Sequence, residues 1–273
     1  MDKTQKDFLI ESQELYEQLG RSGLTIVDCR GGIDYGNGHI PGAVSLPANA
    51  LQDPQSERGS LLPIEEIACK IADVGINNHD TLVLYDDSGL VPSARLFWVL
   101  EMLGRSNVKL LNGGIPGWTG RKYPLEKEAP AVQPADFRYE LNPSVLSDRD
   151  KVLQALDSQN TAIVDARTPG EYSGATETAA RNGHIPGAVH INWENHIRDL
   201  FDPTFRPLDE LRNLYESQGV TPDKNVIVYC RSGARSSSSY FVLRLLGFEH
   251  VSNYAGSWLE WGNDPSVPIE AAT

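Results

Sequence analysis

Cys230 stands in the run Val226-Ile-Val-Tyr-Cys-Arg-Ser-Gly-Ala-Arg-Ser236, with Arg231 and Arg235 close by and Ser232, Gly233 and Ala234 between them. A thiol beside two guanidinium groups and a glycine-containing loop of backbone N–H groups ionises easily, because each of these favours thiolate over thiol. The chemistry that follows is nucleophilic attack by cysteine at neutral pH. A merely structural cysteine would gain nothing from two arginines whose burial is costly. Ser236 to Ser239 read instead as capping and small-residue packing in a first helical turn.

The elements that must position this thiol follow from periodicity. Asn225 to Tyr229 is rich in β-branched residues, as a buried strand requires. Ser236 to Leu246 pairs Phe241 with Leu245 and Val242 with Leu246 at i,i+4 spacing, and stops before Gly247. Cys230 is therefore expected between a strand end and the positive end of a helix dipole.

The 273 residues suffice for one large or two modest domains, and 40% apolar content with 22% charged is ordinary for a globular protein. Twenty-four basic against thirty-seven acidic residues give a net charge of −13, which argues against nucleic acid or an anionic membrane as partner. The N-terminus carries no cationic segment followed by an apolar core, and no apolar run is long enough for a membrane helix. A cytoplasmic location is expected. The three cysteines, Cys29, Cys69 and Cys230, are odd in number and widely spaced, which speaks against a disulfide framework and for a reducing compartment. With no Cys-x-x-Cys pair and six scattered histidines, neither a metal site nor a cofactor is expected.

The chain is an internal duplication. Asn37-Gly-His-Ile-Pro-Gly-Ala-Val44 recurs letter for letter as Asn182-Gly-His-Ile-Pro-Gly-Ala-Val189, 145 positions later. Thr25-Ile-Val-Asp-Cys-Arg30 matches Ala162-Ile-Val-Asp-Ala-Arg167, and Gly113 to Trp118 matches Gly256 to Trp261. Alternating short strands and helices in each half predict an α/β fold with a parallel sheet covered on both faces. Tyr123-Pro-Leu-Glu-Lys-Glu-Ala-Pro-Ala-Val-Gln-Pro134, with three prolines and no periodicity, reads as an extended linker. The expected division is residues 1–124, a linker over 125–143, and residues 144–273.

Features shared by both halves read as scaffold: His39 and His184 in Pro-Gly turns, Asp28 and Asp165 as loop anchors, and Arg167 matched by Arg30. Cys29 aligns with Ala166, so it reads as core. The unshared feature is Cys230, whose counterpart is Asp86. The first half cannot run cysteine chemistry there, and its expected work is to wall a pocket over the Cys230 loop.

These motifs together resemble the two-domain rhodanese family, the thiosulfate and mercaptopyruvate sulfurtransferases, over almost the whole chain. The resemblance implies two tandem rhodanese-like domains, the first inactive. It also implies that Cys230 takes sulfane sulfur as a persulfide and passes it to an acceptor such as cyanide, a thiol or a sulfur-accepting protein. The six-residue loop from Cys230 to Arg235 would bind the donor. Mercaptopyruvate enzymes of the family carry a neutral Cys-Gly-x-Gly-Val-Thr loop, so Cys-Arg-Ser-Gly-Ala-Arg favours thiosulfate, a compact dianion. One departure stands out. Where many members place a substrate-binding arginine after the Asp-x-Arg strand, this chain has Glu171, leaving Arg231, Arg235 or Arg181 to substitute.

Two other classes fit the residues less well. A cysteine phosphatase needs one residue more between cysteine and arginine to surround a phosphate, and also an acid for the leaving group. A non-catalytic binding module of the same fold would have no use for an intact Cys230 and its arginines.

Overall fold

The computed structural model describes residues 7–56 and 60–271. The first half contains β1 (Leu9–Ile10), α1 (Ser12–Glu17), β2 (Leu24–Asp28), α2 (Gly32–Asn37), β3 (Val44–Ser45), α3 (Ile64–Asp73), β4 (Thr81–Tyr85), α4 (Val91–Met102), β5 (Val108–Leu111) and α5 (Gly114–Gly120). The second repeats the alternation with β6 (Leu146–Ser147), α6 (Arg149–Ala155), β7 (Thr161–Asp165), α7 (Pro169–Ser173) and β8 (Val189–His190). It continues with α8 (Leu208–Glu216), β9 (Asn225–Tyr229), α9 (Arg235–Leu245), β10 (Val251–Tyr254) and α10 (Ser257–Trp261). Each half forms its own five-stranded sheet, in the orders β1-β5-β4-β2-β3 and β6-β10-β9-β7-β8. All pairings between these strands are parallel.

Alternation along the strands explains why both faces need helices. In β4, Leu82 and Leu84 enter one apolar cluster with Ile67 and Ile71 of α3, while Val83 and Tyr85 enter another with Leu15 of α1 and Trp118 of α5. In β9, Val226 and Val228 face Leu211 and Tyr215 of α8, while Ile227 and Tyr229 face Val152 of α6 and Trp258 of α10. One cluster is common to both halves. It includes α4 and α9, whose Phe97 and Phe241 rings meet edge to face at 4.9 Å.

The proline-rich stretch lies against the first half. Ala135 N–H donates to Ala72 O (2.9 Å), and Asn142 N–H donates to Met102 O (2.8 Å). Both His-Ile-Pro-Gly turns are built alike. His39 and His184 bond through Nδ1 to Tyr35 O and Tyr172 O, and each ring stacks on that tyrosine at 3.8 Å. Asp28 and Asp165 grip Arg30 and Arg167 two residues on, each through Nε and Nη2. These groups hold loops. No helix among the described residues is long and apolar enough to cross a membrane.

Candidate active site

β9 is the central strand of its sheet, and Cys230 follows it directly. The carboxyl end of a central parallel strand is a natural ligand position, because strand and helix backbones diverge there. The Cys230 backbone is fixed on both sides: its N–H donates to Ser257 Oγ (3.2 Å) and its carbonyl accepts from Trp258 N–H (3.0 Å). Ser257 is fully buried and holds φ at +49°, a conformation few non-glycine residues adopt. Its hydroxyl also donates to Tyr254 O (2.7 Å), so both of its polar roles serve this corner.

Burial alone would raise the Cys230 thiol. The charge of Arg235, the Ser236 hydroxyl, and the N–H groups of Ser236 and Ser232 outweigh that penalty and hold it below the ordinary cysteine range. The Ser236 hydroxyl has one proton and two claimants, since Asn253 Oδ1 lies at 2.7 Å. Asn253 Nδ2 already donates to Gly233 O and Ser237 Oγ, so Oδ1 is left as acceptor and takes that proton in the protein's hydrogen-bond network. Arg235 and the two backbone N–H groups are then the firm sources of thiolate stability.

The first half shows what this loop shape is for. Asp86, at the matching position after β4, is fully buried, and its carboxylate accepts from Ser88 N–H (2.7 Å), Leu90 N–H (3.1 Å), Ser93 N–H (2.8 Å) and Ser93 Oγ (2.5 Å). Ser88 and Ser93 correspond to Ser232 and Ser236, with one extra residue between. Both loops therefore turn donors toward a group that can carry negative charge, a buried carboxyl in the first half and the Cys230 thiol in the second.

A model of the rhodanese-like domain matches residues 11–121 and again 148–264. This chain belongs to the rhodanese family. Over 265 residues it is 34% identical to the thiosulfate sulfurtransferase of Pseudomonas aeruginosa, covering 96% of each chain. It is 41% identical over 251 residues to the sulfur carrier protein TtuD of Thermus thermophilus, covering 86% of both. Among solved structures, the 3-mercaptopyruvate sulfotransferase SseA of Escherichia coli superposes with a TM-score of 0.84 at 29% identity, covering 93% of this chain and 99% of that one. The protein is thus a sulfurtransferase of the rhodanese family, built of two tandem domains of that fold.

The arginines of this rhodanese differ in availability. Arg231 is exposed, and its side chain makes no hydrogen bond among the described residues. Arg235 is engaged in a two-pronged ion pair with Glu171, Nη1 to Oε2 at 2.6 Å and Nη2 to Oε1 at 2.8 Å. Although burial opposes it, that pair and the Thr168 cap bring the Glu171 carboxyl down to about 2. Glu171 thus offsets the charge of Arg235. Arg181 lies elsewhere: its guanidinium donates to the carbonyls of Trp261, Gly262, Asp264 and Val267. With four of five donors on backbone, it ties down the chain after α10 instead of standing free to bind a sulfur donor, as the sequence had led one to expect.

Two residues at the site carried no motif. Ser257 supports the Cys230 amide from α10. Arg95, in the middle of α4 in the first half, donates through Nη1 to Gly233 O (2.8 Å). Its one trace in the sequence is a lone cation inside the apolar run Ala94-Arg-Leu-Phe-Trp-Val-Leu100.

Proposed function

We propose that this rhodanese moves sulfane sulfur from thiosulfate through a Cys230 persulfide to a thiophilic acceptor such as cyanide or a thiol. The reading keeps residues 1–124 as an inactive domain, 125–143 as linker and 144–273 as the catalytic domain. The observation that carries it is the Cys230 thiol, drawn toward its thiolate by Arg235 and loop N–H groups in a loop whose counterpart holds a carboxyl group. The thiolate attacks the outer sulfur of thiosulfate, the S–S bond breaks, and sulfite departs as a dianion with the bonding pair. Total charge is unchanged, no proton moves, and no metal or cofactor enters. The persulfide anion then rests on the N–H groups of Ser232 and Ser236 within the Cys230 to Arg235 loop. Acceptor attack on the outer sulfur restores the thiolate. The likeness to a sulfur carrier protein supports an acceptor that is itself a protein.

Among the described residues of the Cys230 loop, Arg231 is a cation free to meet the incoming dianion. Initial rates with varied thiosulfate and cyanide are expected to give parallel double-reciprocal lines, with kcat/KM higher for thiosulfate than for mercaptopyruvate. Arg231→Ala is expected to raise KM for thiosulfate with little change in kcat. A preference for mercaptopyruvate overturns the choice of donor.

A further inference from the structure

Arg95 is 2% exposed, yet it has no carboxylate partner among the described residues. Its guanidinium lies 4.7 Å over the Trp98 ring, Nη1 bonds Gly233 O, and Nε and Nη2 are buried without a hydrogen-bond partner. A buried, unpaired guanidinium is expensive, so its retention in an apolar helix needs a counter-charge. Burial lowers its pKa to about 10, and the Cys230 sulfur, three residues before the Gly233 carbonyl that Arg95 holds, works against that fall.

The bond to Gly233 has a separate consequence. Gly233 sits at φ +79°, and its carbonyl also accepts from Ser237 Oγ (2.8 Å) and Asn253 Nδ2 (3.0 Å). A peptide plane in a glycine turn can flip, and a flip here would set a carbonyl oxygen where the loop must present N–H groups to an anion. Three donors on that oxygen prevent it.

We propose that Arg95, supplied by the inactive half, is a positioning residue for sulfur transfer: it holds the Gly233 carbonyl out of the anion cradle and is the buried counter-ion of the Cys230 sulfur anion. This rests on Cys230 being the reacting residue. It gives the inactive half a task that the second half cannot perform alone. Arg235, whose charge Glu171 partly offsets, stabilises the thiolate from within the loop, and Arg95 adds a second cation from the other half. The persulfide, also an anion, keeps the pairing through the cycle.

The test is a double-mutant cycle between Arg95→Met and Cys230→Ser, read by denaturant unfolding and by the thiolate's ultraviolet absorbance against pH. The whole chain is used throughout. In wild type, the absorbance difference from Cys230→Ser should titrate below the ordinary thiol range. Arg95→Met should move that midpoint up by about one pH unit or more, and Arg95→Lys should restore part of the shift. Arg95→Met should destabilise the protein that keeps Cys230 more than the Cys230→Ser variant, because only the former has an anion to lose. Equal destabilisation in both backgrounds with an unmoved midpoint overturns the proposal and leaves Cys230 chemistry intact. Should Arg95→Met fail to fold, Arg95→Gln takes its place, and an unmoved midpoint in that neutral variant contradicts the proposal. A wild-type midpoint in the ordinary thiol range overturns the Cys230 reading itself.

Discussion

Two cysteines, Cys29 after β2 and Cys230 after β9, are buried to nearly the same degree, and their thiols shift in opposite directions. Burial pushes Cys29 well up, and the nearby carboxylates of Asp86 and Asp28 add to it. At Cys230 a cation and inward-facing N–H groups reverse the sign. Local charge, not exposure, therefore decides which of the two thiols ionises more readily. The Glu171 ion pair belongs to the same scale. Its carboxyl, about 2 when folded against 4.5 unperturbed, contributes stability that is fully present above pH 4.5 and is lost as pH falls toward 2. Glu171→Gln is expected to cost about 1–3 kcal/mol at neutral pH, with the difference from wild type shrinking through that acid window in urea titrations. Cys230, Arg231 and Arg235 were legible in the sequence because they are neighbours there. The fate of Arg235 was not, since its partner lies 64 residues away and only folding brings α7 beneath the loop.

At the scale of elements, the strand-loop-helix unit recurs with its charge built in two ways. Asp86 fills its own cradle permanently, which explains why that loop can be one residue longer and carry no thiol. The loop of the second half depends on Gly233. A Cβ there would meet Ala255 Cα at 2.9 Å and Arg95 Nη1 at 2.9 Å, in a backbone conformation that disfavours any side chain. Gly233→Ala is expected to lower kcat for sulfur transfer at least tenfold while far-ultraviolet circular dichroism stays native. Unchanged kcat would mean that the loop's shape does not matter. The strand Asn225 to Tyr229 and a helix closed by the Leu-Gly pair were readable from periodicity, because each pattern lies within one segment. Ser257, in contrast, reaches Cys230 from 27 residues away, and a serine in a left-handed conformation has no sequence signature.

At the scale of the whole molecule, the duplication was visible in eight identical letters, but not the manner in which the halves join. α4 and α9 meet through Phe97 and Phe241, and Glu101 accepts from both Tyr240 and Arg244. Because one apolar cluster spans both sheets, thermal unfolding should be a single transition by fluorescence and by circular dichroism. Phe97→Ala should lower stability by about 3–5 kcal/mol and loosen the two halves together. Two separate transitions would show that the halves are energetically independent. The first half thereby shares its core with the second and reaches its Cys230 loop through Arg95. All of this serves one sulfur atom, and the central claim is that Cys230 carries it. Protein incubated with thiosulfate, then digested and weighed, should gain about 32 Da, one sulfur, on the Cys230 peptide and lose it again on adding cyanide. Absence of that gain, or its survival in Cys230→Ser, would contradict the account.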